Sequence, residues 1–166
     1  VSHNILRIDE ALQNVNGNAK ITKFSTGSIE MDLTTLYTPA AGQVTRTASL
    51  LSGRALRLRD RLTGVTPNAR ITWQMCTQAT PEILADGTLK LRHNSQALLI
   101  RKNTPENWNI VSAELLRTPV ESANPNTWMV SFSVLIPKNG QIELEVTLIP
   151  YVSNADDNLY NSQVSD

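Results

Sequence analysis

The sequence predicts an α+β fold: a mostly antiparallel sheet of short strands, backed by one long amphipathic helix over about 43–62 and a short N-terminal helix. Three observations predict it. Several segments alternate apolar and polar residues, as a sheet does when one face lies on a core. One segment, QVTRTASLLSGRALRLRDRL, repeats its apolar residues at helical spacing. Gly, Pro, Asn and Asp interrupt the chain at short intervals, which limits most elements to strand length.

The N-terminal helix rests on Ile5, Ile8, Leu12 and Val15, spaced for one helix face behind Ser2 as a cap, and VNGN ends it. In SIEMDLTTL, Ile29, Met31 and Leu33 alternate with Glu30, Asp32 and Thr34, a half-buried strand. The long helix then follows. Val44, Ala48, Leu51, Ala55, Leu58 and Leu62 fall in an arc of roughly 80° at about 100° per residue. Arg46, Arg54, Arg57 and Arg61 share a second arc, roughly 120° away. Gly53 weakens this helix by ~1 kcal/mol, and Gly64 is placed to cap it.

Beyond that helix, ARITWQMC points Ala69, Ile71, Trp73 and Met75 inward. TPEILADGT reads as a short helix or loop closed by Asp86-Gly87, TLKLRH and QALLIR as strands, and KNTPENW as a loop. NIVSAELL fits either a strand or a helix. TWMVSFSVLI and QIELEVTLIPYV read as a hairpin across PKNG, with Trp128, Val130, Phe132, Val134 and Ile136 as one inward row and Ile142, Leu144, Val146 and Leu148 as the opposite one; the tail after them is acidic and polar. Together these elements suit one domain over 1–166: an N-terminal helix or arm over 1–18, a core over 19–152 and the tail over 153–166.

Composition narrows the function classes. The chain has 166 residues, 40% hydrophobic and 18% charged, with a formal net charge of zero, which fits a globular domain. The single cysteine, Cys76, cannot form an intrachain disulfide, which favours a reducing compartment. No apolar run reaches the ~20 residues that a spanning helix needs. Charge is uneven along the chain: from 41 to 70 there are six arginines against Asp60 alone, while the C-terminal thirty residues are acidic. That polarity suits head-to-tail self-association or an anionic partner.

Signatures of catalysis are sparse. There are two histidines, His3 and His93, and Cys76 has no basic neighbour in sequence. No metal-ligand spacing, P-loop or dinucleotide fingerprint occurs, so neither an enzyme nor a cofactor is expected. Three features could carry a surface function. The arginine stripe Arg46, Arg54, Arg57 and Arg61 could face a nucleocapsid, another anionic partner or another copy of the chain; direct contact with RNA stays open. Asp156 and Asp157 are acidic candidates for pairing with it. Leu98, Leu99, Ile100, Arg101 and Lys102 form a small apolar-basic patch that suits either a membrane-proximal surface or a buried strand ending in two solvated charges.

Taken in order, these pieces resemble a matrix protein of the rhabdovirus kind, of a divergent, plant-infecting type. The similarity runs from Ser28 to Ile149 through SIEMDLTTL, the amphipathic helix, ITWQMC, ATPEILADG, His93, QALLIRKNTP and GQIELEVTLI. The lysine-rich arm and proline-tyrosine motif of that family have no counterpart here, so the resemblance carries self-assembly further than membrane attachment. It implies a non-enzymatic structural protein that self-associates and links the ribonucleoprotein nucleocapsid to the envelope membrane in assembly and budding. Its partners would be itself, the nucleocapsid and membrane lipid, and its location the virion, the host cytoplasm and the inner face of host membranes. The alternative is a viral jelly-roll coat protein, or a movement protein with a similar β core.

Overall fold

The computed structural model describes residues 4–9, 11, 13–112 and 125–151. They form two antiparallel sheets packed face to face. The smaller sheet has the order β1 (Leu6–Ile8), β6 (Arg70–Thr77), β11 (Trp128–Leu135), β10 (Asn109–Ser112). The larger has eight strands, in the order β2 (Lys20–Ser25), β3 (Ser28–Asp32), β4 (Gln43–Leu50), β5 (Leu56–Thr63), β12 (Ile142–Tyr151), β9 (Gln96–Lys102), β8 (Leu89–His93), β7 (Thr80–Ile83). Two meanders, β2 to β5 and β7 to β9, flank β12, which closes the large sheet between them.

The core lies between the sheets. Val130, Phe132 and Val134 from β11, with Ile71 and Trp73 from β6, meet Leu62, Leu144, Val146, Leu89 and Ile100 from the larger sheet. Trp73, Trp108 and Phe132 form an aromatic group, with Trp73 stacked on Phe132 at 5.7 Å between centroids and Trp108 edge-on to it at 5.3 Å. Such pairs add ~0.5–1.5 kcal/mol beyond the area they bury.

The expected α+β architecture is overturned. No helix of seven or more residues occurs among the described residues. The single α-helix among the described residues is α1 (Thr34–Tyr37). Residues 43–62 fold as strands β4 and β5, joined by a loop in which Gly53 and Arg54 both take positive φ, at 67° and 65°. The physical reason lies in the spacing. A step of four residues fits a helical turn and also preserves the parity of a strand, so Val44, Ala48, Leu58 and Leu62 share one face under either reading. Leu51 and Ala55, the odd-numbered members of the series, fall in the connecting loop instead, where the Leu51 amide donates to the Ala55 carbonyl at 2.8 Å.

The N-terminal helix is likewise replaced. Leu6 and Ile8, spaced by two, are buried in β1, while Val15 is 94% exposed. Tyr37 of α1 fixes that strand: its hydroxyl accepts from the Leu6 amide and donates to the Leu6 carbonyl, both at 3.2 Å. Gln13 Nε2 donates to the Tyr37 hydroxyl oxygen at 2.8 Å. The Ser2 cap and Leu12 lie outside the described residues.

Two further expectations change. The segment around TPEILADGT contributes β7, hairpinned to β8 through a turn in which the Asp86 carboxylate accepts from the Thr88 amide. The strands on either side of PKNG are present, but they do not pair. β11 joins β6 and β10 in the smaller sheet, and β12 joins β5 and β9 in the larger. Their inward rows face each other across the core instead of lying side by side, because the turn crosses between layers. In that crossing Gly140 has φ 69°, and a Cβ on it would come within 2.8 Å of the Val65 carbonyl oxygen. Of NIVSAELL, the first four residues form β10 and the rest lie outside the described residues.

Candidate functional site

Strand β5 divides the arginine segment between two faces. Leu56, Leu58, Asp60 and Leu62 point toward the core, and Arg57, Arg59 and Arg61 point away from it. Arg46 stands opposite Asp60 in the β4–β5 register and therefore on the core side, apart from the other arginines. Arg54 is exposed in the loop. The four-arginine stripe is thus not one surface.

Asp60 is 1% exposed and is held by a two-pronged pair: Arg46 Nε lies 2.6 Å from Oδ1 and Nη2 2.9 Å from Oδ2. Burial disfavours the Arg46 charge, but the Asp60 hydrogen bonds and negative charge outweigh it and hold the guanidinium pKa above its ordinary value. On the outer face, β12 places Glu143 opposite Arg61 and Glu145 opposite Arg59. Arg59 bonds Glu145 at 2.8 Å and approaches Glu143 at 3.3 Å; the Glu145 hydrogen bond chiefly raises its pKa. Arg57 Nε is 3.3 Å from the other Glu145 oxygen, close enough for attraction but without hydrogen-bond geometry. Arg59 is thus paired within its own sheet, Arg57 lies beside Glu145, and Arg61 stands opposite Glu143 in register.

Strand β9 distributes the expected membrane-proximal patch in the same way. Leu99 and Ile100 are buried, and Leu98 is packed against the core. Arg101 sits opposite Thr147 on the outer face, and Lys102 turns inward, opposite Val146. The Lys102 ammonium donates to the Thr104 carbonyl at 2.9 Å and to the Glu106 carbonyl. It also lies 5.4 Å from the Trp108 ring and 5.6 Å from that of Phe132. Burial pulls its pKa down, with the Glu106 charge opposing. Asp156 and Asp157 lie outside the described residues.

His93 ends β8 in the larger sheet and is exposed; Cys76 lies on β6 in the smaller sheet, its thiol pKa pushed up by burial. Among the described residues no group of three or more His, Cys, Asp and Glu could hold a metal ion.

Two features have no forerunner in the sequence reading. A cavity of about 710 Å³ opens between the β7–β8 turn and the loop after β9, walled by Lys102, Thr104, Glu106 and Trp108. Trp108 Nε1 donates to the Gly87 carbonyl at 3.0 Å and so ties loop to turn. The second feature is apolar. Eight strands overhang four, and burial falls away toward the β2 edge. Along the cross-strand row Val146, Leu58, Ala48, Ile29, Phe24, exposure rises from 1% at Val146 to 80% at Phe24. Ile21 and Leu50, on neighbouring rows of the same face, are 60% and 61% exposed. The signal for the overhang was present in KITKF, whose apolar residues have no partner element in sequence.

No family model and no curated protein matches this chain. Solved structures do. It is similar to heparan sulfate lyase HepC from Pedobacter heparinus at 13% identity and a TM-score of 0.69, with 92% of this chain and 24% of the lyase covered. A structure described as heparinase III matches at 11% identity and a TM-score of 0.68, over 93% of this chain and 24% of the other. Another heparinase III gives 13% identity and a TM-score of 0.63, with the same coverage. The chain thus spans about a quarter of the length of the proteins it matches, and at this identity the likeness establishes the β-sandwich fold alone.

Proposed function

We propose that this chain is a non-catalytic β-sandwich module that works by docking, packing the overhanging inner face of its larger sheet against another protein body. The observation that carries this reading is the uncovered row end formed by Ile21, Phe24 and Leu50, which continues the core face past the last strand of the smaller sheet. Contiguous apolar surface rimmed by polar residues is characteristic of protein interfaces. The strand that bears it is defended against simple edge pairing by Lys20, Lys23 and a bulge between Ile21 and Lys23, so the face is the available surface. The lyase likeness supports a module reading, since the matched region is about a quarter of each neighbour. In this reading any polysaccharide-cleaving chemistry belongs to a companion domain.

Self-association, expected from the sequence, is retained as the case in which the companion is a second copy. The nucleocapsid- and membrane-linking role rests on the resemblance alone; one of the pieces that carry it, the amphipathic helix, is strands β4 and β5 in the structure.

Hydrophobic-dye binding and sedimentation of the chain and of its I21T/F24S/L50T variant test the proposal. The expected result is dye binding by the parent and its loss in a variant that keeps the parent's circular dichroism. Concentration-dependent association abolished by the same substitutions would identify a second copy as the occupant. A parent that binds no dye and stays monomeric would overturn the docking reading.

A further inference from the structure

One end of the large sheet gathers the β2–β3 turn, the β4–β5 loop and Tyr151, the last residue of β12. The Leu50 amide donates to the Gly27 carbonyl at 2.7 Å and ties turn to loop, and the loop touches β12. Phe24 and Leu50 of the overhang stand at this end, 80% and 61% exposed. Arg54 lies beside them in the loop. It is exposed, its φ of 65° is uncommon for a residue other than glycine, and it has no ion pair among the described residues. A cation at the rim of an apolar patch fits an occupant that offers a carboxylate next to apolar side chains.

The chain itself carries such an occupant. Residues 152–166 lie outside the described residues and continue from Tyr151. They include Asp156, Asp157 and Asp166 and neither lysine nor arginine, and ADDNLY sets an acidic pair one residue before Leu159 and Tyr160. Their reach is sufficient. Leu50 is two strands from β12 and Phe24 four, which with the offset along the strands puts them roughly 14 Å and roughly 25 Å from Tyr151. The stretch 152–159 spans up to about 29 Å when extended. Tethering gives such a segment an effective concentration of about millimolar, so contacts too weak to hold a free peptide can still engage it. An exposed ion pair and two apolar side chains make a small contact, which a body with a larger apolar face displaces. We infer, resting on the docking reading, that residues 152–166 form a displaceable cover over this end of the overhang. Leu159 and Tyr160 lie on the apolar patch, and Asp156 and Asp157 face Arg54.

A nitroxide attached at position 161 of the full chain (Cys76→Ser, Asn161→Cys) tests the cover by NMR. At low protein concentration it should at least halve the signal intensities of Phe24 and Leu50 and spare that of Ile83 at the β7 edge. Adding Leu159→Ser and Tyr160→Ser should abolish the broadening. Without the label, L159S/Y160S should bind the uncharged dye Nile red at least threefold more tightly than the parent. D156N/D157N should show a smaller gain that disappears in high salt. Three results would each overturn the cover while the parent's dye binding keeps the docking reading: broadening at Phe24 and Leu50 no greater than at Ile83, broadening only between labelled and unlabelled copies, or an unchanged dye affinity in L159S/Y160S. Dye binding by neither the parent nor L159S/Y160S would overturn the docking reading and the cover with it.

Discussion

The two faces of β5 carry the same chemistry in opposite surroundings. On the core side Asp60 meets Arg46 with two hydrogen bonds and almost no water; on the outer side Arg57 and Arg59 meet Glu143 and Glu145 across the β5–β12 pair with water at hand. The inner pair exists because taking a carboxylate out of water is expensive unless a partner satisfies it. The outer ladder gains little, since exposed pairs are screened and restrict long side chains. Counting arginines along the sequence therefore misjudges both faces. Of the four stripe residues, Arg46 is a structural counter-ion, Arg57 lies beside Glu145, Arg61 stands opposite Glu143 in register, and Arg54 sits in the connecting loop.

Breaking the inner pair should produce the largest effect. Asp60→Ala leaves the Arg46 guanidinium without its counter-charge and should cost about 3–5 kcal/mol in urea unfolding. Replacing both partners sharpens the comparison: R46M/D60L should recover that loss and can exceed the parent, since apolar side chains of similar volume suit the site. The outer ladder should respond weakly. R59A or E145Q should cost less than about 1 kcal/mol, and the difference should shrink further in high salt.

A smaller effect separates the ladders by pH. The Asp32 carboxylate, on the outer side of β3, accepts from the Thr34 hydroxyl and then from the Thr34 amide, and its pKa is lowered. Because its folded value lies below the unfolded one, its contribution is complete above the unfolded aspartate pKa of about 3.9 and is lost as pH falls through the folded value. The stability difference between the parent and D32A should therefore be largest near neutrality and close on acidification. A gap that is constant with pH would remove the carboxylate from that account.

Much of the strand content was legible in the residues. The inward row Ala69, Ile71, Trp73 lies in the core as alternation predicted, as do Val130, Phe132 and Val134 of β11 and Leu144 and Val146 of β12. The assignment of strands to sheets was not legible, because alternation shows which side chains share a face but not which strand lies alongside. That is why PKNG looked like a hairpin turn.

The β4–β5 segment failed for a different reason. LRLRDRL has a clean period of two, hidden because Asp60 occupies an inward position where an apolar residue was expected. Ser52-Gly53 in its middle was a turn signal, read instead as a weak point in a helix. The inward Asp60 becomes intelligible only with Arg46 beside it, fourteen residues away across a hairpin. The cavity was less visible still. Lys102 looked like a solvated end of a strand, and nothing in the sequence placed its ammonium beneath Trp108 and Phe132.

Double-mutant cycles on the two pairs, Arg46 with Asp60 and Arg59 with Glu145, test most directly whether β5 is a strand with one dry face and one wet face. The predicted coupling between Arg46 and Asp60 is several kcal/mol, and between Arg59 and Glu145 below about 1 kcal/mol. Equal couplings, or an Arg46–Asp60 coupling no larger than that of an exposed pair, would contradict the account.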